Sequence, residues 1–143
     1  MQFDPRNTIV KLCAEGMHLE GQGKGEEAHK LFQQAWEEAT NNFEKFIAAH
    51  YLARHQSSVT NKLEWDETAL HIALQMKDES MKAYYPSLYL NIAKCYEDLE
   101  NFKKANVNFH LAQSFADNLQ NDGYGNMIKS GIKNGIERLA RKL

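Results

Sequence analysis

Two stretches, Leu12-Cys-Ala-Glu-Gly-Met-His-Leu19 and Ala28-His-Lys-Leu-Phe-Gln-Gln-Ala35, recur later in the chain and decide its fold. The later copies are Tyr89-Leu-Asn-Ile-Ala-Lys-Cys-Tyr96 and Ala105-Asn-Val-Asn-Phe-His-Leu-Ala112. Large, small and aromatic side chains have the same spacing in both copies, and equivalent positions lie 77 residues apart. Apolar residues three and four positions apart line one face of an α-helix. The recurrence therefore predicts a repeated pair of helices.

The composition around these copies is typical of an all-α protein. All 8 glycines lie towards the two ends of the chain, and between Glu26 and Asp122 the only glycine or proline is Pro86. The good helix formers Ala, Leu, Glu, Lys and Gln are abundant throughout. Apolar periodicity divides the chain into about seven helices, and the short loops between them favour antiparallel helical hairpins.

Local signals predict where several of these helices begin. Asn61-Lys-Leu-Glu64 resembles a capping box, so the fourth helix is expected to begin there, after an interruption at residues 57–60. Pro86 is expected in the first turn of the fifth helix, where its missing N–H costs nothing. Residues 121–125, rich in Asn, Asp and Gly, are expected to form a turn before the seventh helix.

Both copies resemble tetratricopeptide repeats, in which a helix A is followed by a helix B. The resemblance implies one domain over residues 1–143, an α-α superhelix of antiparallel helix pairs. Its repeats would cover residues 9–42, 43–85 and 86–119, and a capping helix would cover 124–142. In this register small residues bring helices A and B close together, namely Gly16, Ala28, Ala93 and Ala105. Phe32 and Phe109 would fill the space towards the next repeat.

Charge, hydropathy and cysteine content exclude several classes of protein. The 143 residues carry 17 Lys and Arg against 19 Asp and Glu, a net charge of −2, whereas a general nucleic-acid binder has a basic surplus. No apolar run approaches the roughly 20 residues that cross a bilayer, and charged residues interrupt the first twenty positions, where a signal peptide needs an apolar core. Cys13 and Cys95 form no CxxC pair. These features predict a cytoplasmic protein that binds neither nucleic acid nor membrane.

Motifs for catalysis or metal binding are weak. Residues 15–18 and 26–29 both read Glu-x-x-His, a spacing used by di-iron bundles, but such bundles also need an inward Glu from each of two further helices. The repeat register turns His18, Glu26 and His29 towards solvent. No Walker A, G-x-S-x-G or G-x-G-x-x-G motif occurs. We therefore expect no enzymatic activity, no metal and no cofactor.

The second helix A carries the candidate binding residues. In residues 49–56, His50 pairs with Arg54 and Tyr51 with His55 at the i, i+4 spacing of one helix face. Helix A lines the concave side of tetratricopeptide arrays, so the resemblance implies a groove lined by Tyr51, Arg54, His55, Asn91, Lys94 and Met17. The alternative is that Arg54 pairs with a neighbouring Glu while the histidines close a packed core.

Such a groove implies a non-catalytic scaffold that binds a protein or peptide. Arg54 and Lys94 would make the groove cationic, so the ligand is expected to carry a carboxylate or an acidic side chain. Tyr51 would add a flat surface for an apolar group. The alternative is a sensor that binds a small molecule or a short signalling peptide in the same groove.

Charge is distributed unevenly along the chain. Residues 15–44 carry a net charge of −5, whereas residues 129–143 carry +4. The basic segment could attract an acidic partner or the acidic segment of a second copy, so self-association is possible. The simpler explanation is that Lys and Arg near the end of a helix complement its dipole.

Overall fold

The computed structural model describes residues 4–143, which form seven α-helices and no strand. The helices are α1 (Thr8–Gly21), α2 (Gly25–Glu38), α3 (Asn42–Ala53), α4 (Val59–Gln75), α5 (Tyr85–Asp98), α6 (Phe102–Ser114) and α7 (Gly123–Ala140). Short 3₁₀ helices cover Glu79–Ala83 and Ala116–Asn118. The prediction of an all-α fold with about seven helices is confirmed. None of the helices formed by residues 4–143 combines the length and apolar character that crossing a bilayer requires.

Side-chain caps fix the start of five helices. In each case a side-chain oxygen accepts a hydrogen bond from a backbone N–H in the first turn, which otherwise has no partner. The capping residues are Asn7 for α1, Asn41 for α3, Ser58 for α4, Asn101 for α6 and Asp122 for α7. Short polar side chains in the loops therefore set most of the helix starts.

The start of α4 and the extent of the turn before α7 differ from the prediction. The helix α4 begins at Val59 rather than at Asn61, because the Ser58 hydroxyl accepts the Asn61 N–H at 3.1 Å. The helix α7 begins at Gly123, inside the expected turn, because the Asp122 carboxylate accepts the Gly125 N–H at 2.7 Å. Pro86 does lie in the first turn of α5.

The contacts divide the chain into two compact units, one up to Met76 and one from Lys77 onwards. In the first unit, α2 packs against α1 and α3, α4 packs against α3, and α1 also contacts α3. Asn7 at the start of α1 bonds Glu44 near the start of α3, and Glu20 near the end of α1 bonds His55 just after α3. Since like ends meet, α1 and α3 run in the same direction. That the two units form one superhelical domain stays a prediction.

The core of the first unit is centred on Phe32. This ring is fully buried, and it lies so close to Gly16 that a Cβ atom there would overlap it. On its other side the Phe32 ring stacks on Tyr51, with 5.2 Å between ring centroids. A glycine in α1 thus allows one aromatic side chain of α2 to fill the space between α1 and α3.

The second unit is built from α5, α6 and α7, with α7 packed against both of the others. Phe109 of α6 is fully buried and lies against Gly135 of α7. The Nε and Nη2 atoms of Arg138 each donate a hydrogen bond of 2.8 Å to the Glu97 carboxylate. This ion pair joins the last turns of α7 and α5. The buried core comprises Leu90, Ala93, Ala105, Phe109, Ala112, Ile128, Ile132 and Leu139. The last helix is therefore an integral part of this core.

Candidate functional site

An apolar crevice of about 280 Å³ lies between α1 and α3 in the first unit. Four of its residues come from α1 at the spacing of one helix face, and two come from α3. The lining residues are Val10, Cys13, Ala14, Met17, Ile47 and Tyr51. We refer to these six residues as the α1–α3 crevice. Two of the residues predicted for the groove, Met17 and Tyr51, thus lie together in it.

Cys13 is one of the two buried residues of the α1–α3 crevice, with Ile47. Only 2% of its surface is exposed, and burial raises the pKa of its thiol to about 12. The thiol therefore stays protonated at neutral pH, whereas nucleophilic attack requires the thiolate. Cys13 contributes a small apolar surface to the crevice rather than a reactive group.

Arg54 lies beside the α1–α3 crevice, immediately after the end of α3. Its guanidinium carbon is 5.7 Å from the centroid of the Tyr51 ring, within the range of a cation–π contact. One guanidinium nitrogen lies 3.5 Å from the Glu20 carboxylate, yet 48% of the Arg54 side chain remains exposed. The alternative interpretation expected Arg54 to pair with a neighbouring Glu. That pair is present, but it leaves part of the guanidinium facing solvent.

His55 faces a different part of the first unit. Its Nε2 atom bonds the Glu20 carboxylate, and its ring lies 5.4 Å from that of Phe32. His55 also lines a second hollow, of about 510 Å³, with Gly25, Glu26, His29 and Lys30 of α2. The structure therefore does not place His55 among the residues of the α1–α3 crevice.

Glu20 is the residue of this region that sequence reasoning missed. It lies 35 positions before His55, and its side chain is only 16% exposed. The same carboxylate approaches both Arg54 and His55. An acidic residue at the end of α1 was the only sequence signal for it, because its partners depend on how α1 packs against α3.

His50, in the last turn of α3, is a packed histidine. Its ring lies 6.3 Å from Phe46 and 5.3 Å from Tyr51, and its Nδ1 atom is shielded from solvent without a hydrogen-bond partner. Burial, together with the positive charges of Arg54 and Lys62, lowers the pKa of His50 to about 4. His50 is consequently neutral in the folded protein at neutral pH.

This lowered pKa predicts a pH dependence of stability. In the unfolded chain a histidine has a pKa of about 6.5, so between about pH 6.5 and pH 4 the unfolded state binds a proton that the folded state does not. Stability should therefore fall as the pH drops through this window, by up to about 3 kcal/mol. Urea unfolding across this range should show a shallower slope for His50→Gln than for wild type. His71→Gln, an exposed position in α4, should keep the wild-type slope, and equal slopes in all three proteins would contradict the prediction.

The remaining groove residues, Asn91 and Lys94, lie in the second unit. Both are on α5, about one turn apart, with Asn91 half-buried and Lys94 exposed. Their predicted position beside Arg54 requires a particular arrangement of the two units and stays a prediction. The residues that the structure brings together are thus those of the first unit.

Neither Glu-x-x-His pair belongs to a cluster that could hold a metal ion, since residues 4–143 contain no such group of three or more His, Cys, Asp or Glu side chains. His18 and Glu26 are exposed, as expected, but His29 is half-buried with its Nδ1 shielded and without a partner. The prediction that His29 points to solvent is wrong, because α2 turns it towards His55, with 6.5 Å between the ring centroids.

Comparison of the chain with protein-family models, curated proteins and solved structures finds no match.

Proposed function

We propose that the protein is a non-catalytic scaffold of the tetratricopeptide type that binds a peptide segment of another protein. The common direction of α1 and α3, with α2 packed against both, supports this proposal, since α1 and α3 then occupy the positions of successive A helices. The α1–α3 crevice lies between these two helices, where tetratricopeptide arrays present their concave side. The sequence repeat in α5 and α6 extends the same pattern.

The chemistry of the crevice selects the ligand. A hollow of about 280 Å³ with an apolar lining accommodates one large apolar side chain. Arg54 beside it has a half-exposed guanidinium, which can donate two parallel hydrogen bonds to a carboxylate. The ligand is therefore a segment with a Leu, Met or Phe residue close to an Asp or Glu. The observation that carries the proposal is this apolar crevice with a cation held at its edge by Tyr51.

An array of acetylated and amidated synthetic peptides tests the proposal. The peptides pair Leu, Met or Phe with Asp or Glu at spacings of one to five residues, and matched peptides carry Asn, Gln or Ala instead. We expect binding that requires both residues. Calorimetry with the best peptide should show a loss of about 1.5–3 kcal/mol for Arg54→Ala, the usual contribution of a hydrogen bond to a charged group.

Matched variants test whether peptide binding requires the α1–α3 crevice rather than another part of the surface. Ala14→Phe should block binding by filling the crevice from an exposed position of α1, while leaving the helical circular dichroism unchanged. Arg6→Ala removes a guanidinium that is 90% exposed and bonded to Asp4, and it should bind like wild type. Absence of binding across the array, or unchanged affinity in both Arg54→Ala and Ala14→Phe, would refute the proposed function.

A further inference from the structure

The α1–α3 crevice leaves apolar surface of the first unit open to water. Met17 is 45% exposed, Ala14 is exposed, and Val10 and Tyr51 are half-buried. Apolar surface in contact with water favours an apolar side chain that can cover it. The crevice, of about 280 Å³, has room for one large side chain. One occupant of the crevice therefore excludes another.

One end of the crevice lies close to the start of α1. The side-chain amide of Asn7 donates a hydrogen bond of 2.8 Å to the Glu44 carboxylate, which joins the starts of α1 and α3. Val10 and Ile47 each follow one of these two residues by three positions, or about 4.5 Å along a helix. They are therefore the part of the crevice nearest to the start of α1, whereas Arg54 lies beside the opposite end.

The chain makes a turn immediately before α1. The Asn7 N–H donates to the Asp4 carbonyl at 3.0 Å, and the Arg6 N–H donates to the Asp4 carboxylate at 2.9 Å. Both donors are backbone groups, so the turn does not depend on the Arg6 side chain. A turn of four residues brings its first and last Cα atoms within about 7 Å of each other. Asp4 is consequently held close to the start of α1.

The residues that precede this turn are Met1, Gln2 and Phe3. Phe3 is the only aromatic residue in the sequence before α1, and it is bonded directly to Asp4. Three extended residues span at most about 10 Å. The Val10 end of the crevice lies only about one helical turn beyond the turn that holds Asp4. The Phe3 side chain is therefore within reach of the crevice of its own chain.

We infer that the Phe3 ring packs between Val10 and Ile47 and occupies the α1–α3 crevice of its own chain. The short tether keeps the ring at a high effective concentration, so a single apolar contact is sufficient to populate the bound state. A peptide that carries both an apolar side chain and a carboxylate adds a contact with Arg54 and displaces the ring. Residues 1–3 are thus an autoinhibitory segment, and this regulatory consequence rests on the proposed function.

Nuclear Overhauser effects in the full chain test the contact without any peptide. We expect them between the Phe3 ring protons and the methyl groups of Val10 and Ile47, and we expect the signals of these methyl groups to shift in Phe3→Ala. Gln2→Ala is a matched control, because it alters the same segment but keeps the ring, and it should leave these signals unchanged. Absence of the effects, or unchanged methyl signals in Phe3→Ala, would overturn the inference.

A mixture of isotope-labelled and unlabelled chains distinguishes the crevice of the same chain from that of a second copy. Isotope-filtered spectra of the mixture detect only contacts between molecules, and we expect none from Phe3. Filtered contacts between the Phe3 ring and Val10 or Ile47 would overturn the inference, since Phe3 would then occupy the crevice of another molecule.

Calorimetry with the best peptide of the array measures the competition. Phe3→Ala should raise the affinity about three- to tenfold, which corresponds to a crevice that Phe3 occupies for about 70–90% of the time. Gln2→Ala should bind like wild type. Phe3 contacts in a protein that binds no peptide would refute the proposed function but support the contact itself. Phe3 contacts together with unchanged peptide affinity in Phe3→Ala would overturn the autoinhibition.

Discussion

A chain that ends at Asp122 should lose the fold of its second unit. The truncation removes α7, which supplies Ile128, Ile132 and Leu139 to the core that surrounds Phe109. Burial of each such side chain contributes about 1.5–3 kcal/mol, so the three together contribute about 5–9 kcal/mol. That loss is comparable to the whole stability of a small domain, about 5–15 kcal/mol. Without α7, the apolar faces of α5 and α6 would be open to water and prone to aggregate.

Hydrogen exchange and size-exclusion chromatography measure this effect. Amides of α5 and α6 should lose their protection in the truncated chain, and soluble aggregates should appear. A chain that ends at Ala140 keeps α7 whole and removes only three exposed residues, so it should behave like the full chain. Unchanged protection of α5 and α6 after truncation at Asp122 would show that α7 is dispensable.

The substitution Phe32→Ala should cost about 3–5 kcal/mol of stability. The Phe32 side chain is fully buried between Gly16, Tyr51 and His55, so its removal loses apolar burial and leaves a cavity. Because Tyr51 stacks on this ring, the same change also removes support from the α1–α3 crevice. Peptide binding should therefore weaken together with stability.

Urea unfolding at neutral pH gives the stability change directly. Leu74→Ala is a matched control, since Leu74 lies in α4 with 48% of its surface exposed, and it should change the unfolding free energy by less than about 0.5 kcal/mol. A loss below about 1 kcal/mol for Phe32→Ala would mean that the core of the first unit is not organised around this ring.

Local sequence patterns were sufficient to predict the secondary structure. The spacing of apolar residues, the absence of glycine from residues 26–122 and the position of Pro86 predicted seven helices. The predicted start of α4 and the predicted extent of the turn before α7 were wrong because a single capping side chain determines where each helix begins. Ser58 and Asp122 each offer an acceptor to a first-turn N–H, and that bond determines where the helix starts.

The candidate site was predicted only in part. Met17 and Tyr51 lie together in the α1–α3 crevice with Arg54 beside it, whereas His55 faces a different hollow. Sequence reasoning placed Met17 and Tyr51 on the correct helices because periodicity defines a helix face, but it also placed Arg54 and His55 on the third helix, which ends at Ala53. It could not assign the partner of each side chain, since periodicity gives no information on the packing of one helix against another.

The sequence by itself determined the all-α class, the number of helices and the small residues that allow close packing. The tertiary structure alone decided that Glu20 approaches both Arg54 and His55, and that the neutral form of His50 is favoured by burial beside Arg54 and Lys62. Helix formation depends on hydrogen bonds and side-chain contacts within a few residues of each other. The charge state and exposure of a side chain depend instead on residues that the folded chain brings close from distant positions, as α3 does for the end of α1.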